Sequence, residues 1–138
     1  MGSRLSKAYL LTQVLTANKQ EVIVYLYESA IGHLHRALEA LEADRRPAAA
    51  KSIERVITIV IELSGSLNYR EGGRLALRLD AIYNYLIETL TTANAAADHE
   101  ALEACEGILV ILHDAWRQAT EMEQPERAAE RATLRVSA

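Results

Sequence analysis

The residues of this chain that could carry chemistry are His33, His35, His99 and His113, together with Cys105, Ser29, Ser64 and Ser66. A carboxylate-bridged di-metal site in a helical protein needs Glu-x-x-His on each of two helices. No Glu or Asp of this sequence is followed by His three residues later. His33 and His35 stand about 200° apart around a helix and cannot clamp one ion together. His35 beside Arg36 is the nearest approach to a phosphotransfer histidine, but the same pair occurs on any exposed helix face. Cys105 lies on an apolar seam, where burial raises the thiol pKa and silences it. A single cysteine has no partner for a disulfide or a zinc site. The serines lack the spacing of a histidine–acid support. Gly72–Gly73 lacks the rest of a phosphate-cradling pattern and reads as a turn. No catalytic residue, metal or cofactor is expected, and the chain reads as a binding protein rather than an enzyme.

The bulk properties agree. A length of 138 residues fits one domain with a real core. The net charge of −4 gives no basic surplus to neutralise phosphates, so nucleic acid is not an expected partner. Met1 to Ala8 has no apolar signal region. The most apolar stretch, Val56 to Leu63, is edged and interrupted by Glu54, Arg55 and Glu62, and is far short of the roughly 20 residues of a membrane span. No membrane insertion is expected, and the lone cysteine suits a reducing compartment such as a bacterial cytoplasm.

Four segments carry helical periodicity. Asn18 and Glu21 have the spacing of a capping box, and Ile23, Leu26, Ala30, Leu34, Ala37 and Leu41 follow at three- and four-residue steps. After a break at Ala43–Pro47, with Pro47 suited to a first turn, come Ile53, Val56, Ile57, Val60, Leu63 and Leu67. Asn68 to Gly73 reads as a turn, and the third helix carries Leu75, Leu79, Ile82, Leu86 and Leu90. Asp98 can cap a fourth helix, in which Leu102, Cys105, Leu109, Leu112 and Trp116 alternate steps of three and four. The spacing predicts an all-α, antiparallel, up-down-up-down four-helix bundle over residues 16–123. Residues 1–15 form a short N-terminal helix or strap, and residues 124–138 a tail that is either a helical extension or disordered.

The helices hold more apolar positions than four helices need to bury each other. The excess falls at Val24, Tyr27, Ile31, Ile59, Ile61, Tyr83 and Ile87. Either the terminal segments cover these residues, or part of the surface is a groove for an amphipathic helix of another protein. Both hold if the N-terminal segment is a removable lid.

Certain residues also resemble a known family. Ala8–Tyr9, Val14 and Thr16–Ala17 are similar to the opening of the FliS flagellin export chaperones. Tyr25-Leu26-Tyr27-Glu28-Ser29-Ala30 resembles their signature in the first long helix. Ser66-Leu67-Asn68-Tyr69 with Gly72-Gly73 resembles their second connection, and Leu79, Ile82-Tyr83 and Tyr85 their third helix. Ala93–Asn94 and Ala115–Trp116 match the helix ends. Two departures stand out: Asn18–Lys19 replaces a Ser-Pro pair, and Ser29 replaces a glycine.

The resemblance implies a cytoplasmic export chaperone. It would hold the disordered C-terminal segment of flagellin, prevent premature polymerisation and deliver the client to the export apparatus. A component of the export gate would be a second partner, and the chaperone a monomer or weak dimer. Tyr9, Val14 and Leu15 then belong to the lid. Tyr27, Ile31, Tyr83 and Ile87 are expected to line the flagellin groove, with Leu67 and Tyr69 at one end. A non-flagellar helical adaptor or dimerisation module remains the alternative, with a phosphotransfer bundle behind it.

Overall fold

Each helix owes its place to a three-four stripe of apolar residues and its ends to capping. In a computed structural model, residues 19–137 are described, with side chains described over residues 20–119. Helix α1 (Lys19–Glu42) carries Glu21 in its first turn, where a carboxylate complements the helix dipole. It buries Ile23, Tyr27, Ala30, Leu34, Ala37 and Leu38. The stripe is thus centred on Tyr27, and Leu26 and Leu41 pack partly buried at its flank. The helix stops at Asp44, whose φ of 58° is left-handed. There the Arg45 N–H reaches back to the Ala40 carbonyl at 2.7 Å and the Asp44 N–H to Leu41 at 3.0 Å, a Schellman termination.

Helix α2 (Arg46–Gly65) has Pro47 in its opening turn and buries Ala49, Ile53, Val56, Val60 and Leu63. Helix α3 (Tyr69–Ala96) starts earlier than its apolar stripe suggests. The Asn68 side chain accepts from the Arg70 and Glu71 N–H groups, both at 3.1 Å, and nucleates a first turn. Gly73 (φ 50°, ψ −124°) then kinks the helix before the stripe Ala76, Leu79, Tyr83, Leu86, Leu90 and Ala93 begins. This kink corrects the expectation for Leu75, which is exposed rather than core. The chain reverses at Ala97 (φ 52°), with the Asp98 N–H on the Ala93 carbonyl. Asp98 then caps helix α4 (His99–Ser137) by accepting from the Ala101 N–H at 3.2 Å. Leu102, Cys105 and Leu109 are fully buried. Leu112 and Trp116 complete the stripe as partly buried residues, and α4 runs on through Pro125.

Helix α1 packs against α2 and α4, and α3 closes the ring against the same two. Connections of two or three residues make sequential neighbours antiparallel, so the architecture is the up-down-up-down bundle that the periodicity predicts. Among the described residues the core holds no buried charged side chain. None of the described helices is long and apolar enough to cross a membrane.

Candidate partner-binding site

A pocket of about 340 Å³ opens at the end of the bundle where α1 begins and α2 hands over to α3. Ile23 of α1, Leu79 and Tyr83 of α3 and Trp116 of α4 supply apolar surface. Gln20, Ser66, Asn68 and Glu71 bring polar atoms to it. The kink at Gly73 shapes this end, because it turns the first turn of α3 out of line with the rest. Gly72 sits so close to the following turn that a Cβ there would lie 2.9 Å from the Ala76 Cβ. A pocket with apolar walls and a few polar groups suits the apolar face of a short helix or a large side chain.

Behind the pocket a hydrogen bond joins two buried aromatic residues. The Trp116 indole stands beside the Tyr27 hydroxyl, where its N–H favours the phenolate. The Tyr27 and Tyr83 hydroxyls stand 2.5 Å apart. Burial is the main reason that both phenols are pushed above the ordinary tyrosine range, so both stay neutral.

Tyr27 and Tyr83, expected along the flagellin groove, lie in the core of the bundle. Tyr27 is 0% exposed and Tyr83 1%, because each hydroxyl finds its partner inside the bundle and the rings fill the core. Tyr83 also lines the pocket. Ile31 and Ile87 are half-buried and pack against the core. Leu67 is half-buried and lines the pocket. Tyr69 is exposed at the start of α3, near Asp80, whose carboxylate accepts from the Ser64 hydroxyl at 3.3 Å. Tyr9, Val14 and Leu15 lie outside the described residues. The pocket residues that sequence reasoning did not single out are Ile23, Leu75, Leu79 and Trp116. Their signal was faint: Ile23 and Trp116 are the outermost members of their stripes, where a core opens to solvent.

No other constellation suggests chemistry. Burial pushes the Cys105 thiol up to about 11, which keeps it protonated and inert. Burial and then the charges of Arg36 and Arg55 hold His33 below the ordinary histidine value. His35 sits between Glu39 and Glu106, an acidic setting that repels a phosphoryl donor. No group of three or more potential ligands among the described residues could hold a metal ion.

An apolar end pocket on an all-helical bundle, with no metal-ligand cluster among the described residues, fits the class of helical binding proteins. Comparison with known proteins gives the family. Residues 1–123 match the family model of the flagellar protein FliS, and the chain belongs to that family. It is 32% identical over 106 residues to the flagellar secretion chaperone FliS of Salmonella typhimurium, covering 76% of this chain and 78% of that one. It is 29% identical over 120 residues to its counterpart from Bacillus subtilis, covering 87% and 89%. The flagellar secretion chaperone FliSB of Pseudomonas aeruginosa is 31% identical over 104 residues, covering 75% and 82%. A crystal structure of a bacterial flagellar chaperone superposes with a TM-score of 0.71 at 21% identity, over 88% of this chain and 98% of that one, which establishes the shared fold. Family members are named chaperones, and this chain is a flagellar secretion chaperone rather than an enzyme.

Proposed function

We propose that the client is the C-terminal segment of flagellin, held in the cytoplasm in an unpolymerised form until delivery to the export apparatus. The observation that carries this reading is the pocket built by Ile23, Leu79, Tyr83 and Trp116, with polar groups around it. A flagellin terminus is amphipathic and short of partners before assembly. It can place the apolar side of a nascent helix on those residues while its backbone meets Ser66 and Asn68. A disordered client that orders on contact gives up conformational entropy, so an extended contact along the bundle serves it better than one deep cavity.

In this reading residues 1–15, including Tyr9, Val14 and Leu15, compete with the client for the pocket and act as a lid. Leu67 and Tyr69 flank its entrance. Ile31 and Ile87 lie further along the bundle, where the client continues. The bundle works as a monomer or weak dimer and presents the loaded client to a component of the export gate.

Trp116 is the sole tryptophan of the chain and lies in the pocket, so its emission reports occupancy. Adding a synthetic C-terminal segment of flagellin is expected to shift the Trp116 emission saturably at one peptide per chain. A folded protein whose emission ignores the peptide, while another helical partner moves it, would make the chain an adaptor with a different client.

A further inference from the structure

Three histidine–glutamate pairs join α1 to α4: Glu28 with His113, His35 with Glu106, and Glu42 with His99. Along α1 the members step by seven residues, 28, 35 and 42, and along α4 they step back by seven, 113, 106 and 99. That is the repeat of an antiparallel heptad seam, so the rungs stand one above another along the line where the helices meet. The acidic and basic members do not all sit on one helix. The register, rather than a patch of one sign, makes the ladder.

Each ring is also held from its second nitrogen. His99 has Glu42 at 3.1 Å from Nε2 and Glu103 at 3.0 Å from Nδ1. His35 has Glu39 at 3.1 Å from Nε2 and Glu106 at 3.7 Å from Nδ1. His113, the most sheltered of the three, has Glu28 at 3.1 Å from Nε2 and Asp114 at 3.6 Å from Nδ1. A neutral imidazole carries one N–H and one lone pair. With carboxylates at both nitrogens, one contact of every neutral ring sets a lone pair against an anion. Only the imidazolium donates to both.

We propose that this ladder is a proton-operated latch on the α1/α4 seam, closed when the three rings are charged and weakened when they are neutral. Arg36 of α1 and Arg55 of α2 face His33, which belongs to no rung. The two rungs farthest from the pocket border a depression of about 710 Å³ in which Glu39, Glu42, Glu103 and Glu106 all converge. Without protons on His35 and His99 those four carboxylates repel each other across the seam. In the third rung Glu28 directly follows Tyr27 and His113 stands one turn before Trp116, so the latch bears on the helices that build the pocket. Histidines gain and lose charge around pH 6.5, and carboxylates are discharged below about 4.

The test is the melting temperature of the full chain and of the triple variant His35→Gln/His99→Gln/His113→Gln, at pH 6 and at pH 8.5. At pH 6 the unaltered chain is expected to melt about 3–6 °C above the variant. At pH 8.5 the gap should fall below half of that. His33→Gln should leave the gap unchanged at both pH values. Glu28→Gln/Glu42→Gln/Glu106→Gln, which neutralises the opposite members, should reproduce the loss at pH 6. A gap of equal size at both pH values would overturn the latch, as would a triple variant that melts higher than the unaltered chain at pH 6.

Discussion

The hydroxyls of Tyr27 and Tyr83 meet 2.5 Å apart across the diagonal of the bundle, joining α1 to α3, two helices whose backbones do not pack against one another. The Trp116 indole of α4 stands beside the Tyr27 hydroxyl, so three helices meet at this buried pair.

Removing either hydroxyl therefore strands the other. Tyr83→Phe and Tyr27→Phe are each expected to cost about 1–3 kcal/mol in urea denaturation. The double variant should cost less than the sum, because the second change removes a group already stranded. Additive losses would show that the two hydroxyls do not depend on each other.

The helix terminations make a prediction of opposite sign. Ala97 holds a left-handed backbone, φ 52°, which a side chain resists and glycine does not. Ala97→Gly should stabilise the fold by about 0.5–1 kcal/mol. Gly73→Ala should destabilise by about 1 kcal/mol or more, since Gly73 holds φ 50° with no clash to blame but the backbone itself. A melting temperature unchanged by both variants would contradict these assignments.

Core and surface leucines should separate cleanly. Leu86→Ala, at a fully buried position, is expected to cost about 2–5 kcal/mol. Leu75→Ala, at 60% exposure, should stay within about 0.5 kcal/mol of the unaltered chain. A large loss at Leu75 would mean that the kink at Gly73 does not turn it outward.

Cys105 gives a pH prediction. Its thiol is pushed up from 9.0 to about 11 by burial, so the folded chain holds that proton where an unfolded chain releases it. The folded protein should not react with a disulfide reagent at pH 8, and stability should decline as pH rises from about 9 toward 11. Cys105→Ala should remove that share of the decline. Rapid labelling of the folded chain would contradict its burial.

Much of this was legible in the sequence. The stripes Ile53, Val56, Val60, Leu63 and Leu102, Cys105, Leu109 read directly as buried faces, because burial on one side of a helix repeats every three to four residues. Pro47 and Asp98 marked helix starts by their local chemistry. Gly73 was legible as a turn, but its effect on phase was not, so Leu75 was placed inside. The burial of Tyr27 and Tyr83 was hidden for a different reason. A tyrosine on an apolar stripe suits a rim as well as a core, and only the partner hydroxyl decides. That partner lies 56 residues away. The His–Glu ladder was hidden likewise, since its rungs exist only once the antiparallel register of α1 and α4 is fixed.

Lid and client should behave as competitors. Deleting residues 1–15 is expected to tighten binding of the flagellin segment, because a competitor in the same chain is removed. A folded truncation with weaker binding would turn those residues into client contacts.

If the end pocket receives the C-terminal segment of flagellin, a charge placed on its apolar wall must weaken that binding. Titration calorimetry of that segment into the unaltered chain and into Leu75→Glu, which adds a charge at an exposed pocket residue, tests it most directly. The account predicts one-to-one binding with a negative heat-capacity change for the unaltered chain, and a loss of at least tenfold in affinity for a variant that still folds. Equal affinity for both, or no binding by either, would contradict it.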